Sequence, residues 1–345
     1  HPEVSCHIIY LKKNFNYFLS PNNCLFTIKR ITSCVVHSVV YCVESVEMTF
    51  KKLILGTLLL FNPLFLGAAK SEPCPEWTEG NPILQIKPYW ETARSEKIIA
   101  CLKEGKSLKT RDSMGRTALH LAAQYNQNPK VIKLLIQAGA NLDARNASGG
   151  TPLHDAAMRN PNPLVLETLI RAGANINAKN KNDWSPLHST KFNKNDDVVK
   201  LLIQSGAAIN AVDDMNRTPL HLAAPFGSLQ KIMLLLNAGA DATAKTTYGI
   251  TPLHGAAGWN TNPQVIESII SAGGEVNAGA DIGRTPLHEA AKWNKHSSII
   301  FTLIDNGADI FAFDHKGSDI FEIIESNIRL KATDGYWDVR ELQFK

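Results

Sequence analysis

Between residues 113 and 313 apolar and polar positions recur with a period of 33 or 34 residues. Each period carries a small-residue pair (Ala122-Ala123, Ala156-Ala157, Ala223-Ala224, Ala256-Ala257, Ala290-Ala291), then a polar turn, then a larger apolar run such as Val131, Leu134, Leu135 and Ile136. That alternation predicts two helices per period, the first with a small face for close stacking and the second with a broader apolar stripe. Start signals agree: Thr or Ser before Pro opens the first helix, and Asn128-Pro129, Asn162-Pro163 and Asn262-Pro263 open the second. A recurring glycine, Gly105 through Gly307, closes the second helix with a left-handed cap. The third period departs, placing Thr190-Lys191 where the alanines stand.

The most regular landmark is a tetrapeptide: Thr117-Ala118-Leu119-His120, Thr151-Pro152-Leu153-His154, Ser185-Pro186-Leu187-His188, Thr218-Pro219-Leu220-His221, Thr251-Pro252-Leu253-His254 and Thr285-Pro286-Leu287-His288. Its histidines are spaced 34, 34, 33, 33 and 34 residues apart. These residues, in this register, resemble the ankyrin repeat. The resemblance implies an all-α solenoid of helix-turn-helix repeats with short β-hairpin loops. Six full repeats are expected at 113–145, 146–179, 180–212, 213–245, 246–279 and 280–313. A single unit cannot bury its apolar face, so capping partial repeats are expected at 90–112 and in the 314–345 cap and tail, where Tyr336 and Trp337 cover the last helix.

Ahead of the array the pattern changes. Residues 1–47 precede the first methionine, Met48, and read as translated upstream sequence. Lys51-Lys52, an uncharged run from Leu53 to Ala69, and Gly67-Ala68-Ala69 have the three regions of a signal peptide, placed at 48–69, with a lead-in at 70–89. The run is 17 residues and contains Asn62-Pro63, which argues against a retained span. After Ala69 two cysteines remain, Cys74 and Cys101, and an oxidising compartment makes a disulfide between them the expectation, two free thiols the alternative. The +4 charge of the whole chain falls to +1 there, with 30 Lys and Arg against 29 Asp and Glu.

No catalytic, cofactor or metal constellation emerges. The tetrapeptide histidines stand one per repeat, about 10 Å apart, too far to share a metal. The resemblance implies that their imidazoles hydrogen-bond neighbouring loops. Gly149-Gly150 and Gly273-Gly274 fall at repeat turns, and the near-neutral mature chain lacks the basic stripe that nucleic acid requires.

Recognition remains. The resemblance puts the partner on a concave face made of hairpin tips and first helices. The candidates there are Arg116, Trp184, Met215, Arg217, Tyr248, Ile250, Ile282 and Arg284 on the hairpins, with Tyr125, Phe192, Phe226, Trp259 and Trp293 at the ends of the first helices. Packing beneath the helix-helix loop is the alternative for Tyr125, Trp259 and Trp293. The chain is thus expected to be a monomeric, non-enzymatic scaffold for a folded protein partner, periplasmic or secreted and not inserted in a membrane. The alternative is a secreted effector acting in a host or target cell.

Overall fold

The computed structural model describes residues 89–344, which lie within a compact unit running Glu72–Lys345. The expected upstream segment, signal peptide and most of the lead-in, Cys74 included, lie outside the described residues. After a helical turn at 89–92, α1 spans Ser95–Lys103. The first two repeats contribute α2 (Ala118–Tyr125), α3 (Pro129–Gln137), α4 (Pro152–Arg159) and α5 (Pro163–Arg171). The next two contribute α6 (Pro186–Ser189), α7 (Asp197–Gln204), α8 (Pro219–Ala223) and α9 (Leu229–Asn237). The last two and the cap contribute α10 (Pro252–Trp259), α11 (Pro263–Ser271), α12 (Pro286–Trp293), α13 (Ser297–Asp305), α14 (Ile320–Ile324), α15 (Ile328–Lys331) and α16 (Gly335–Glu341).

First helices stack on first helices and second on second, each repeat meeting its neighbours. The paired alanines are 4% exposed or less, which lets the first helices approach closely. Val131, Ile132, Leu135 and their counterparts Val165, Leu166 and Leu169 are fully buried between repeats. The closing glycines have φ between 78° and 98°, and at Gly139 the left-handed turn lets Ala140 N donate to Leu135 O at 3.0 Å. Asn128, Asn162 and Asn262 each accept the backbone N–H two residues on, capping α3, α5 and α11.

The histidines join the repeats. In all six, Nδ1 accepts the backbone N–H of the capping Thr or Ser at 3.1–3.2 Å. Because Nδ1 is the acceptor, the proton resides on Nε2, which donates to the next repeat: His120 to Gly150 O, His154 to Trp184 O, His188 to Arg217 O, His221 to Ile250 O and His254 to Arg284 O, at 2.8–3.1 Å. His288 faces the cap instead, and its Nε2 makes no hydrogen bond of normal geometry.

The hairpins are tight turns, and no strand forms among the described residues. One backbone bond links each tip to the next, as from Ala147 N to Met114 O (2.8 Å) and from His315 N to Ile282 O (3.0 Å). A single bond per pair is too little to build a ladder. In the third repeat, Thr190 Oγ1 donates to Leu187 O at 2.7 Å and the helix tightens into a 3₁₀ turn over Thr190–Phe192. At the C-terminal end Tyr336 and Val339 are buried as α16 packs on α13, and Trp337 is exposed.

Candidate functional site

A second inter-repeat ladder decides which side chains reach solvent. At the end of every first helix but the fourth repeat's, an asparagine turns inward and donates Nδ2 to two carbonyls of the preceding repeat. Asn126 bonds Trp90 O and Ala93 O, Asn160 bonds Ala123 O and Asn126 O, and Asn193 bonds Ala157 O and Asn160 O, all at 2.8–3.0 Å. Asn260, Asn294 and Asn327 continue the series. With the asparagine held inside, its predecessor is turned outward. Those predecessors are Tyr125, Arg159, Phe192, Trp259 and Trp293.

The fourth repeat breaks the ladder. Gly227 occupies the asparagine's place, and a Cβ there would meet Ala223 O at 2.6 Å, so no side chain fits. Lys231 substitutes: its Nζ donates to Thr190 O at 3.1 Å and Asn193 O at 2.6 Å, with Asp196 Oδ1 3.5 Å away. It is 3% exposed, and burial holds its pKa below the ordinary lysine value. Phe226, preceding Gly227, still points outward and is 77% exposed.

The outward residues form an aromatic row. Ring centroids lie 6.2 Å apart for Phe226 and Trp259, and 5.5 Å apart at an 18° interplanar angle for Trp259 and Trp293. Both tryptophans remain about 40% exposed, so they pack on each other and also present surface. Trp184 and Phe192 meet at 6.4 Å. Toward the N-terminal end a groove of about 590 Å³ opens, lined by Tyr125, Met158, Arg159, Phe192 and Lys194 among others. Tyr125 itself is half-buried.

Among the hairpin candidates the structure separates two groups. Met215, Tyr248 and Ile282 stand at exposed tips, and Ile250 is half-buried beside them. Arg116 is a correction: it is 4% exposed, its Nε donates to Asp112 Oδ2 and its Nη1 to Gln124 Oε1, both at 2.8 Å. It fixes the first hairpin and is not available to a partner. Trp184 is likewise no free projection, since its Nε1 donates to Asp213 Oδ2 at 3.0 Å and Arg217 Cζ lies 5.9 Å from its ring. Arg217 pairs with Asp213 at 2.7 Å, and Arg284 bridges Asp314 and Glu289. Both are half-buried.

The buried imidazoles are poor acid-base groups. Burial pushes His120, His154 and His254 down to about 4, and the other three in the same direction. Burial favours their neutral form, and in all but His288 both ring nitrogens are taken up by structural bonds. Asp155, next to His154 on α4, is 6% exposed; burial raises it to about 7, and Oδ2 lacks a hydrogen-bond partner. Among the described residues, no group of three His, Cys, Asp or Glu comes together to hold a metal ion, and no helix is long and apolar enough to cross a membrane. Cys101 is buried on α1, with Sγ 3.4 Å from Tyr89 Oη.

Comparison with known proteins gives the same architecture. No curated protein matches the sequence. A solved structure, the ankyrin repeat domain of Bcl-3, described as a unique member of the IkappaB protein family, is similar at 27% identity and a TM-score of 0.51, covering 66% of this chain and 99% of that one. The family model for ankyrin repeats, three copies to a match, fits residues 91–180, 153–246 and 232–314. With those matches spanning the helical stack nearly end to end, the chain belongs to the ankyrin-repeat family.

Proposed function

We propose that this chain is a non-enzymatic scaffold that binds a protein partner along the outward ends of its first helices, and that it does so after export. The family is one of interaction scaffolds. The observation that carries the reading is the contiguous, solvent-facing row Phe226, Trp259 and Trp293, because exposed aromatic clusters of this kind mark interfaces. The export reading draws support from the leader pattern before Lys70, and an oxidising compartment would favour a disulfide between Cys74 and Cys101.

Cross-linking the tagged chain in the exported fraction tests both. Trp259→Ala with Trp293→Ala is expected to cut partner recovery by roughly tenfold or more. Met215→Ala with Tyr248→Ala, at hairpin tips, is expected to have a smaller effect. Equal recovery with both variant pairs would sink the surface assignment, and absence of the chain from the exported fraction would sink export.

A further inference from the structure

The aromatic row is set with bases that lack acidic partners. Arg159 and Lys194 line the groove, and Lys191 Nζ lies 5.1 Å from the ring centre of Trp184 and 4.8 Å from that of Phe192. Further along, Lys292 Nζ lies 4.9 Å from the Trp293 ring centre and Arg329 Cζ 5.9 Å from that of Trp259. None of these five has a carboxylate within ion-pair distance among the described residues. Elsewhere arginines are paired, as in Arg116–Asp112, Arg217–Asp213 and Arg171–Glu167.

The acids nearby do not offset this. Asp196 is committed to Ser228 and Lys231, and Glu289 sits by Arg284. Asp155, one turn before Arg159, is buried with its pKa raised to about 7, and Glu325, one turn before Arg329, is taken up by Lys331, Arg340 and Tyr336; Glu91 at the groove's end and Asp197 at the start of α7 also lie nearby. Burial first, and then the Arg217 charge, hold Lys191 below its ordinary value, outweighing the opposing pull of Asp213, which Arg217 already pairs.

A cation held over a ring face is pre-positioned by the ring quadrupole, yet its N–H groups stay open to a carboxylate. Ring edges and aliphatic stems between the cations offer apolar surface. Anionic groups interleaved with apolar side chains match both. The row runs across the repeats with one outward residue from each, so an extended segment would meet them in turn. We propose that the row is the binding site for an extended acidic peptide segment whose carboxylates are interleaved with aromatic or aliphatic side chains. This rests on the scaffold reading above. Nucleic acid fits less well: Trp259 and Trp293 are already stacked ring on ring, leaving no open slot between them, and outside the row's five bases residues 70–345 carry 25 Lys and Arg against 29 Asp and Glu.

The test titrates the full chain with four probes, read by tryptophan fluorescence and calorimetry at low and high salt. The probes are a 16-residue peptide alternating Asp or Glu with Phe or Leu, its counterpart with Lys for each acid, a Glu-Gly peptide of equal length, and a 16-nucleotide oligothymidylate, lengths chosen at roughly the span of an extended segment across several repeats. The acidic apolar peptide is expected to bind about tenfold or more tightly than the other three, and to weaken with salt. Lys292→Glu with Arg329→Glu should weaken it by about tenfold or more at unchanged circular dichroism, whereas Lys130→Glu with Lys200→Glu, on the second helices, should leave it unchanged.

No binding of the acidic peptide, equal binding of the lysine peptide, indifference to the Lys292 and Arg329 reversals, or tighter binding of the oligonucleotide each overturns the proposal. Should the lysine peptide bind instead and need Trp259 and Trp293, only the charge assignment falls. If no peptide needs those tryptophans, the scaffold surface falls with it.

Discussion

At the residue scale, the repeats are joined by side chains that satisfy buried carbonyls. Such groups are costly to leave unpaired, so each link is held by what its loss would expose. Lys231 is the sharpest case, since a buried ammonium takes the work of an amide. Replacing it by methionine strands Thr190 O and Asn193 O and leaves Asp196 with Ser228 alone. A loss of about 3 kcal/mol in the urea unfolding free energy is expected. The histidines set a pH dependence. Unfolded, they take up protons near 6.5, while His120, His154 and His254 folded do so only near 4. The unfolded chain therefore binds more protons across that window, and stability falls as pH falls through it. Asp155 acts in the opposite sense, raised from 3.8 to about 7, but it is one group against six. The urea midpoint should be lower at pH 5 than at pH 7.5; a flat or rising midpoint contradicts the neutral-imidazole account.

At the element scale, the helices start and stop where local chemistry says they should. Thr, Ser and Asn caps, Pro at the first helical position and a left-handed glycine at the end act within a few residues of one another, which is why the sequence pattern located them. Two glycines show how alike they look in sequence and how differently they act. Gly139 has φ 91° and open space around a would-be Cβ, whereas Gly227 has a Cβ position 2.6 Å from Ala223 O. Alanine at 139 is expected to cost about 1 kcal/mol, from the left-handed backbone alone. Alanine at 227 is expected to cost more, because the first helix of the fourth repeat must shift; denaturant titration of the two variants checks the order. Helix α6 breaks into a 3₁₀ turn at Thr190, and the sequence signalled that as a departure from the alanine pair without saying what would follow.

At the scale of the whole molecule, the stack is one-dimensional: each repeat leans on its neighbours, so stability is lost first where a neighbour is missing. The C-terminal tail supplies the last neighbour, through Tyr336 and Val339 on α13 and a bond from Tyr336 Oη to Glu325 at 2.7 Å. Deleting residues 333–345 is expected to lower hydrogen-exchange protection in α13 and α14 while α4 and α5 keep theirs. Uniform loss along the array would show instead that the repeats unfold as a single unit.

The sequence alone determined the repeat, its two helices and their caps, because each depends on residues at a constant offset; the histidines' bonds to the next repeat, about 30 residues on, came from the family resemblance. Aromatic positions after the histidines were legible by the same constant offset. What the tertiary structure alone decided is which equivalent residues are spent inside. Arg116 and Arg217 hold the same hairpin position, yet one is sealed against Asp112 and Gln124 while the other lies half-buried beside Trp184. Lys231 reaches carbonyls 38 and 41 residues away only because Gly227 left a place empty. The stacking of Trp259 on Trp293, with a cation on each, likewise arises where neighbouring repeats meet. Period and capping are local and repeat themselves. Exposure is a property of the neighbour across the stack, and no single repeat encodes it.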